Sequence, residues 1–210
     1  MRIHVHTFSV FHWLARTLSV VLHPVLMPVY ILYLLFHIPS WFLLIPEGVK
    51  WYCYLVTLFM LLLLPLACLP LLRHLRFIKD YHLDNKQERI YPVLTVVVFA
   101  FLGFWLLGRV AYTDIVQQLY LVMIVLLSLF SVITLRWKIS MHMTAIGGVC
   151  GFLLVLGLKY SGDVRSSFMT MLVLAGLLAS SRLYLKKHTP LQVYLGFLFG
   201  AVFVTAMLLY

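Results

Sequence analysis

Charge is what this chain has least of. Only 10% of its 210 residues are charged, against 64% that are hydrophobic, where soluble domains run at roughly 25% and 45–50%. A soluble fold of this length has too little interior to hide so much apolar surface, which excludes that class. Cysteine is equally sparse: Cys53, Cys68 and Cys150 each fall inside an apolar run, and no two show metal-ligand spacing. They read as small hydrophobes. No apolar run has an ionisable residue near its middle, where carriers keep the groups that bind ions, and this argues against a small transporter. No small-residue cleavage site follows the first run, which Pro24 and Pro28 interrupt, so a cleaved signal peptide is not expected.

What the chain has instead is seven apolar runs, at approximately 18–37, 51–72, 92–108, 115–135, 141–158, 167–184 and 190–209. Each is near the about 20 residues that a spanning helix needs. The runs are continuous rather than alternating, which favours helices over a barrel. The fold class expected is all-α, a polytopic membrane helical bundle of about seven transmembrane helices in one domain, 1–210. Residues 1–17 mix Arg2, His4, His6, His12 and Arg16 with Phe8, Phe11 and Trp13, and are expected to lie along the interface. Pro65 and Pro70 should kink the second span near its exit. The third and fourth spans have almost no small residues and are expected to face lipid, with Trp105, Tyr112, Tyr120 and Trp137 as interfacial anchors. Gly147/Gly151, Gly196/Gly200, Ala175/Ala179 and Gly176/Ser180 repeat at i, i+4. Such spacing predicts that spans five, six and seven form a tight core.

Polar residues collect in three places: Arg73–Tyr91, which holds Lys86 and Arg89 shortly before Pro92; Arg136–His142; and Ser181–Gln192. Seven alternating spans put all three on one side. Ser140 is a good N-cap for a helix whose end would attract an anion, and Lys138 and His142 flank it. His142 and His188 stand at the entrances of helices five and seven, so close packing there would bring the imidazoles together. Plainer readings stand beside these. The first cluster reads equally as a solvated positive loop, His142 as a structural residue, and Thr189-Pro190-Leu191-Gln192 as a capping box. The net charge of +10 sits in short loops between spans. Membrane topology and anionic headgroups account for it better than nucleic acid does.

Ser181-Arg182-x5-His188-x3-Gln192 and Ile139-Ser140-Met141-His142 resemble two motifs of the type 2 phosphatidic acid phosphatase family (PAP2, lipid phosphate phosphatases), S-R-x5-H-x3-D and P-S-G-H. Arg89 stands where the family's K-x6-R-P has arginine, with His82 at the lysine position and the proline late, at Pro92. The resemblance covers about 85 to 192 and implies a PAP2-like core. It also implies that His188 attacks phosphorus to form a phosphohistidine and that His142 protonates the leaving oxygen. Gln192 stands in place of the Asp that orients the nucleophile. Lys86, Arg89, Ser140, Ser181 and Arg182 would hold the phosphate oxygens without a metal or other cofactor. The implied partners are a lipid phosphate or prenyl diphosphate substrate and membrane lipids, at a bacterial inner membrane. Gln192 departs from the family by accepting a hydrogen bond without supplying charge, and Met141 crowds a place the family gives to glycine. The alternative is a non-catalytic PAP2-like protein that binds phospholipid or assists another membrane protein. Of sixteen Lys and Arg, only Lys50, Arg109, Lys159 and Arg165 fall on the far side. The positive-inside rule thus turns the site to the cytoplasm, while many bacterial members of the family work outside, so the side and the oligomeric state stay open.

Overall fold

The computed structural model describes residues 3–79, 88 and 90–210, and the side chains from residue 10 onward. Among the described residues the chain is helical, without strands. Seven segments among the described residues are long and apolar enough to cross a membrane. The protein is an integral membrane bundle, as its composition requires.

Prolines shape the first two spans. Helix α1 (Ile3–Val21) stops ahead of Pro24, which has no N–H and pins His23 in extended backbone at φ −69°, ψ 138°. One short 3-10 turn (Pro24–Leu26) leads into α2 (Met27–His37). Helix α1 continues unbroken through residue 17 into the first candidate span. In the second span, α3 (Glu47–Thr57) widens into a π-helical segment (Leu58–Leu63) before α4 (Leu64–His74). Pro65 cannot donate to the carbonyl four residues back. The wider turn, in which Leu64 N–H reaches Phe59 O, absorbs that misfit inside the helix.

Helices α5 (Ile90–Leu107) and α6 (Asp114–Arg136), the third and fourth spans, form a hairpin. Its turn is tied by the Thr113 hydroxyl, which donates to Leu107 O or to Val110 O. The hairpin is not simply lipid-facing: α6 also packs on α9 and buries Val116, Tyr120 and Phe130. Tyr120 is the clearest departure. Instead of anchoring an interface it is 3% exposed, lies against Gly103 and hydrogen-bonds Thr57.

The centre is α7 (Met141–Tyr160), whose hydrophobic window is 67% buried, against 33% or less in every other span. Between helices in lipid there is no hydrophobic drive, so packing at short range decides which pairs meet. Here α7 lies on α9 (Pro190–Leu209), glycine against backbone. A Cβ on Gly147 would run into Phe197 O, one on Gly200 into Thr144 O, and one on Gly196 would stand 2.9 Å from Ser140 O. Helix α8 (Arg165–Tyr184) packs on α7 and α1 more than on α9. Its Gly176 and Ser180 are exposed, and a Cβ on Gly176 would meet nothing within 4 Å. The tight core is therefore spans five and seven, with six applied to one side.

Candidate functional site

The turn after α8 delivers the third polar cluster. Lys186 adopts a left-handed conformation, φ 52°, and Lys187 N–H bonds back to Arg182 O at 3.2 Å, which closes the helix and reverses the chain. Pro190 then opens α9 at a position where its missing N–H costs nothing.

At that opening, Gln192 Oε1 accepts the Thr189 backbone N–H at 3.1 Å, the capping-box arm expected from sequence. The same oxygen lies 3.2 Å from His188 Nδ1. A backbone N–H only donates, which identifies the atom facing it as the amide oxygen. That oxygen only accepts, so His188 carries its proton on Nδ1 and its lone pair on Nε2. The capping and orienting readings of Gln192 are thus one arrangement. The backbone carbonyl of Gln192 also accepts Ser140 N–H at 3.3 Å, which locks the start of α7 to the start of α9.

His142, one residue into α7, meets α1. Because Pro24 ends that helix, His23 N–H turns to Val20 O and cannot serve Ser19 O. His142 Nε2 stands 3.1 Å from this carbonyl and supplies the donor. Its basic nitrogen is accordingly Nδ1. The His23 ring sits edge-on to the His142 ring, centroids 5.3 Å apart, with His23 Nδ1 accepting Val25 N–H at 3.4 Å.

His23, Met141, His142, Arg182, Lys187 and His188 line one end of a cavity of about 530 Å³. Arg182, His23 and His188 all lie within electrostatic range of His142. The cavity continues into apolar walls from α2, α4, α5 and α6 and reaches Thr57, Val116 and Tyr120. No group of three or more His, Cys, Asp or Glu suited to a metal occurs among the described residues.

Of the expected site residues, the structure brings together His142, His188, Gln192 and Arg182. Two serines are elsewhere. Ser140 is the N-cap residue of α7, but its hydroxyl makes no capping bond; it is fully buried in the α7–α9 contact. Ser181 is buried and donates to Leu177 O within its own helix at 2.9 Å. Neither lines the cavity, and neither does Lys138. Lys86 and Arg89 lie outside the described residues. Sequence reasoning missed His23 and Lys187. The signal for His23 was a histidine directly before a proline inside an apolar run, where the ring must leave the helix.

Comparison of the chain with protein-family models, with curated proteins and with solved structures gave no match in any of the three.

Proposed function

We propose that this protein is a divergent PAP2-type phosphatase that hydrolyses a lipid phosphate or prenyl diphosphate in a bacterial inner membrane. The observation that carries this reading is the His188–Gln192 contact at the mouth of a cavity shared with His142, Arg182 and Lys187. A nucleophilic imidazole needs one nitrogen held and protonated and the other bearing its lone pair, and Gln192 provides that orientation.

In the reaction, His188 Nε2 forms a bond to phosphorus as the bond from phosphorus to the leaving oxygen breaks. His142, protonated on Nδ1, gives that proton to the departing oxygen. Water then attacks the phosphohistidine, its proton returns to His142 Nδ1, and phosphate leaves. Arg182 and Lys187 hold the non-bridging oxygens throughout and stabilise the charge that gathers on them. Gln192 offers the His188 imidazolium a dipole rather than an anion, so turnover is slow for such a site.

A second reading keeps the pocket and drops the chemistry: a PAP2-like protein that binds phospholipid. It is favoured by the structural use already made of Gln192, which caps α9, and of His142, which serves Ser19 O. Purified protein supplied with short-chain phosphatidate and prenyl diphosphate, beside His188→Ala, separates the two. Phosphate release that depends on His188 supports the phosphatase; equal release from both proteins removes it.

A further inference from the structure

The far end of the cavity has no part in the phosphoryl chemistry. Its α6 wall runs from Phe130 to Val116, fourteen residues and so about 21 Å of helix. That exceeds the about 15 Å of hydrocarbon in one leaflet. With a volume of about 530 Å³, the cavity is deep enough for a hydrocarbon chain longer than one leaflet. The walls are mostly apolar, and toward the Val116 end Thr57 Oγ1 and Tyr120 Oη pair at 3.0 Å between α3 and α6. Both residues are buried, at 1% and 3% exposed. A satisfied polar pair holds its two helices together and gives an apolar chain end nothing to displace it with.

We propose that this shaft is the tail channel for a lipid with one long chain and a phosphate head, and that the Thr57–Tyr120 pair sets the longest tail it takes. The assignment rests on the phosphate-head reading of the mouth, where Arg182 and Lys187 supply the complementary charge, but not on turnover. The chains of an ordinary glycerolipid stop at the leaflet midplane, short of the floor.

The test uses the full chain in lipid nanodiscs and a length series of single-chain alkyl phosphonates that cannot be hydrolysed, each with a diazirine at the tail end. In wild type, long probes should label Thr57–Leu61 and Val116–Tyr120. Met123→Trp, which fills the shaft midway, should weaken long probes at least tenfold and leave short ones unchanged. Labelling of the unmodified chain guards against a variant that fails to fold. Labels spread evenly onto outward residues such as Val98 and Phe101, or an unchanged length profile in Met123→Trp, would overturn the channel. Equal displacement of short and long probes by phosphatidate, or probe affinity equal to that of inorganic phosphate, would do the same. A matching length series of single-chain alkyl phosphates, which can be hydrolysed, supplied to wild type and His188→Ala keeps the two readings apart. Probes bound at the floor with no phosphate release in any protein would retain the channel and remove the phosphatase, while phosphate release indifferent to tail length would do the reverse.

Discussion

His188 and Gln192 stand one helical turn apart, and the 3.2 Å contact between Nδ1 and Oε1 gives the imidazole its direction without giving it a counter-charge. Replacing that neutral oxygen by a carboxylate of the same length separates direction from charge. Gln192→Glu keeps the cap on Thr189 N–H and the contact to His188 while adding an anion beside the ring. Loss of the corresponding charge in a serine protease costs about 10⁴ in rate, part of it through the wrong tautomer. Phosphate release should therefore rise at least about tenfold in Gln192→Glu, with the thermal midpoint unchanged. Gln192→Leu removes both functions, and should lose release together with about 1 kcal/mol of stability. A Gln192→Glu protein no faster than wild type would mean that charge at this position is not what limits the reaction.

Two glycine-to-alanine substitutions should differ sharply although they look alike in sequence. At Gly200 the new Cβ meets Thr144 C=O and Gly148 N, both backbone atoms of α7, so relief requires moving a helix. Overpacking of this kind costs about 1–3 kcal/mol, and it would also shift α9 and the histidine at its entrance. At Gly176 the Cβ enters open space, and the gain in helix propensity is up to about 1 kcal/mol. Thermal melts in one detergent should show Gly200→Ala falling and Gly176→Ala level or rising. Equal shifts would refute the α7–α9 contact as the core.

These glycines also mark how far the sequence could be read. Span number and type were legible because a continuous apolar run in lipid has no alternative to a helix that satisfies its own backbone. Gly147 and Gly200 were legible because only glycine permits backbone contact. Gly176 carries the same spacing and packs on nothing within reach, since spacing names a possible face but not the partner that takes it. Tyr120 looked like an interfacial anchor because aromatic residues near a span end usually are. Its partner Thr57 is 63 residues away in another helix, and no local pattern announces such a pair. His142 and His188 were brought together by counting spans, whereas His23 entered through the break at Pro24, a local event whose consequence for the site is tertiary. Ser140 and Ser181 had the right identity and spacing. Their burial in helix contacts depended on which way α7 and α8 turned.

The Thr57–Tyr120 bond invites a double-mutant cycle. Thr57→Val leaves the buried tyrosine hydroxyl without its partner, and Tyr120→Phe does the same to the threonine. Either change should cost about 1–3 kcal/mol through an unsatisfied buried group. Removing both leaves two apolar surfaces of nearly the same shape. The double variant should therefore be more stable than the sum of the singles predicts, with a coupling of at least about 0.5 kcal/mol. Strict additivity in thermal or denaturant unfolding would show that the bond does not hold α3 to α6.

Lys186 tests the turn that sets His188 in place. Its φ of 52° puts an L-residue with a Cβ in the left-handed region, at a cost of about 1 kcal/mol relative to glycine. Its side chain is exposed and does not line the cavity, so its backbone is what the turn uses. Lys186→Gly should raise stability by up to about 1 kcal/mol and leave phosphate release unchanged, because the bond from Lys187 N–H to Arg182 O survives. Lys186→Pro cannot reach positive φ and removes the N–H that now donates to Leu183 O at 2.9 Å. It should destabilise the end of α8 and swing Lys187 and His188 away from the cavity mouth, abolishing phosphate release. Should the glycine variant lose release while gaining stability, the lysine charge itself would belong to the substrate's path, and the turn would be more than a structural device.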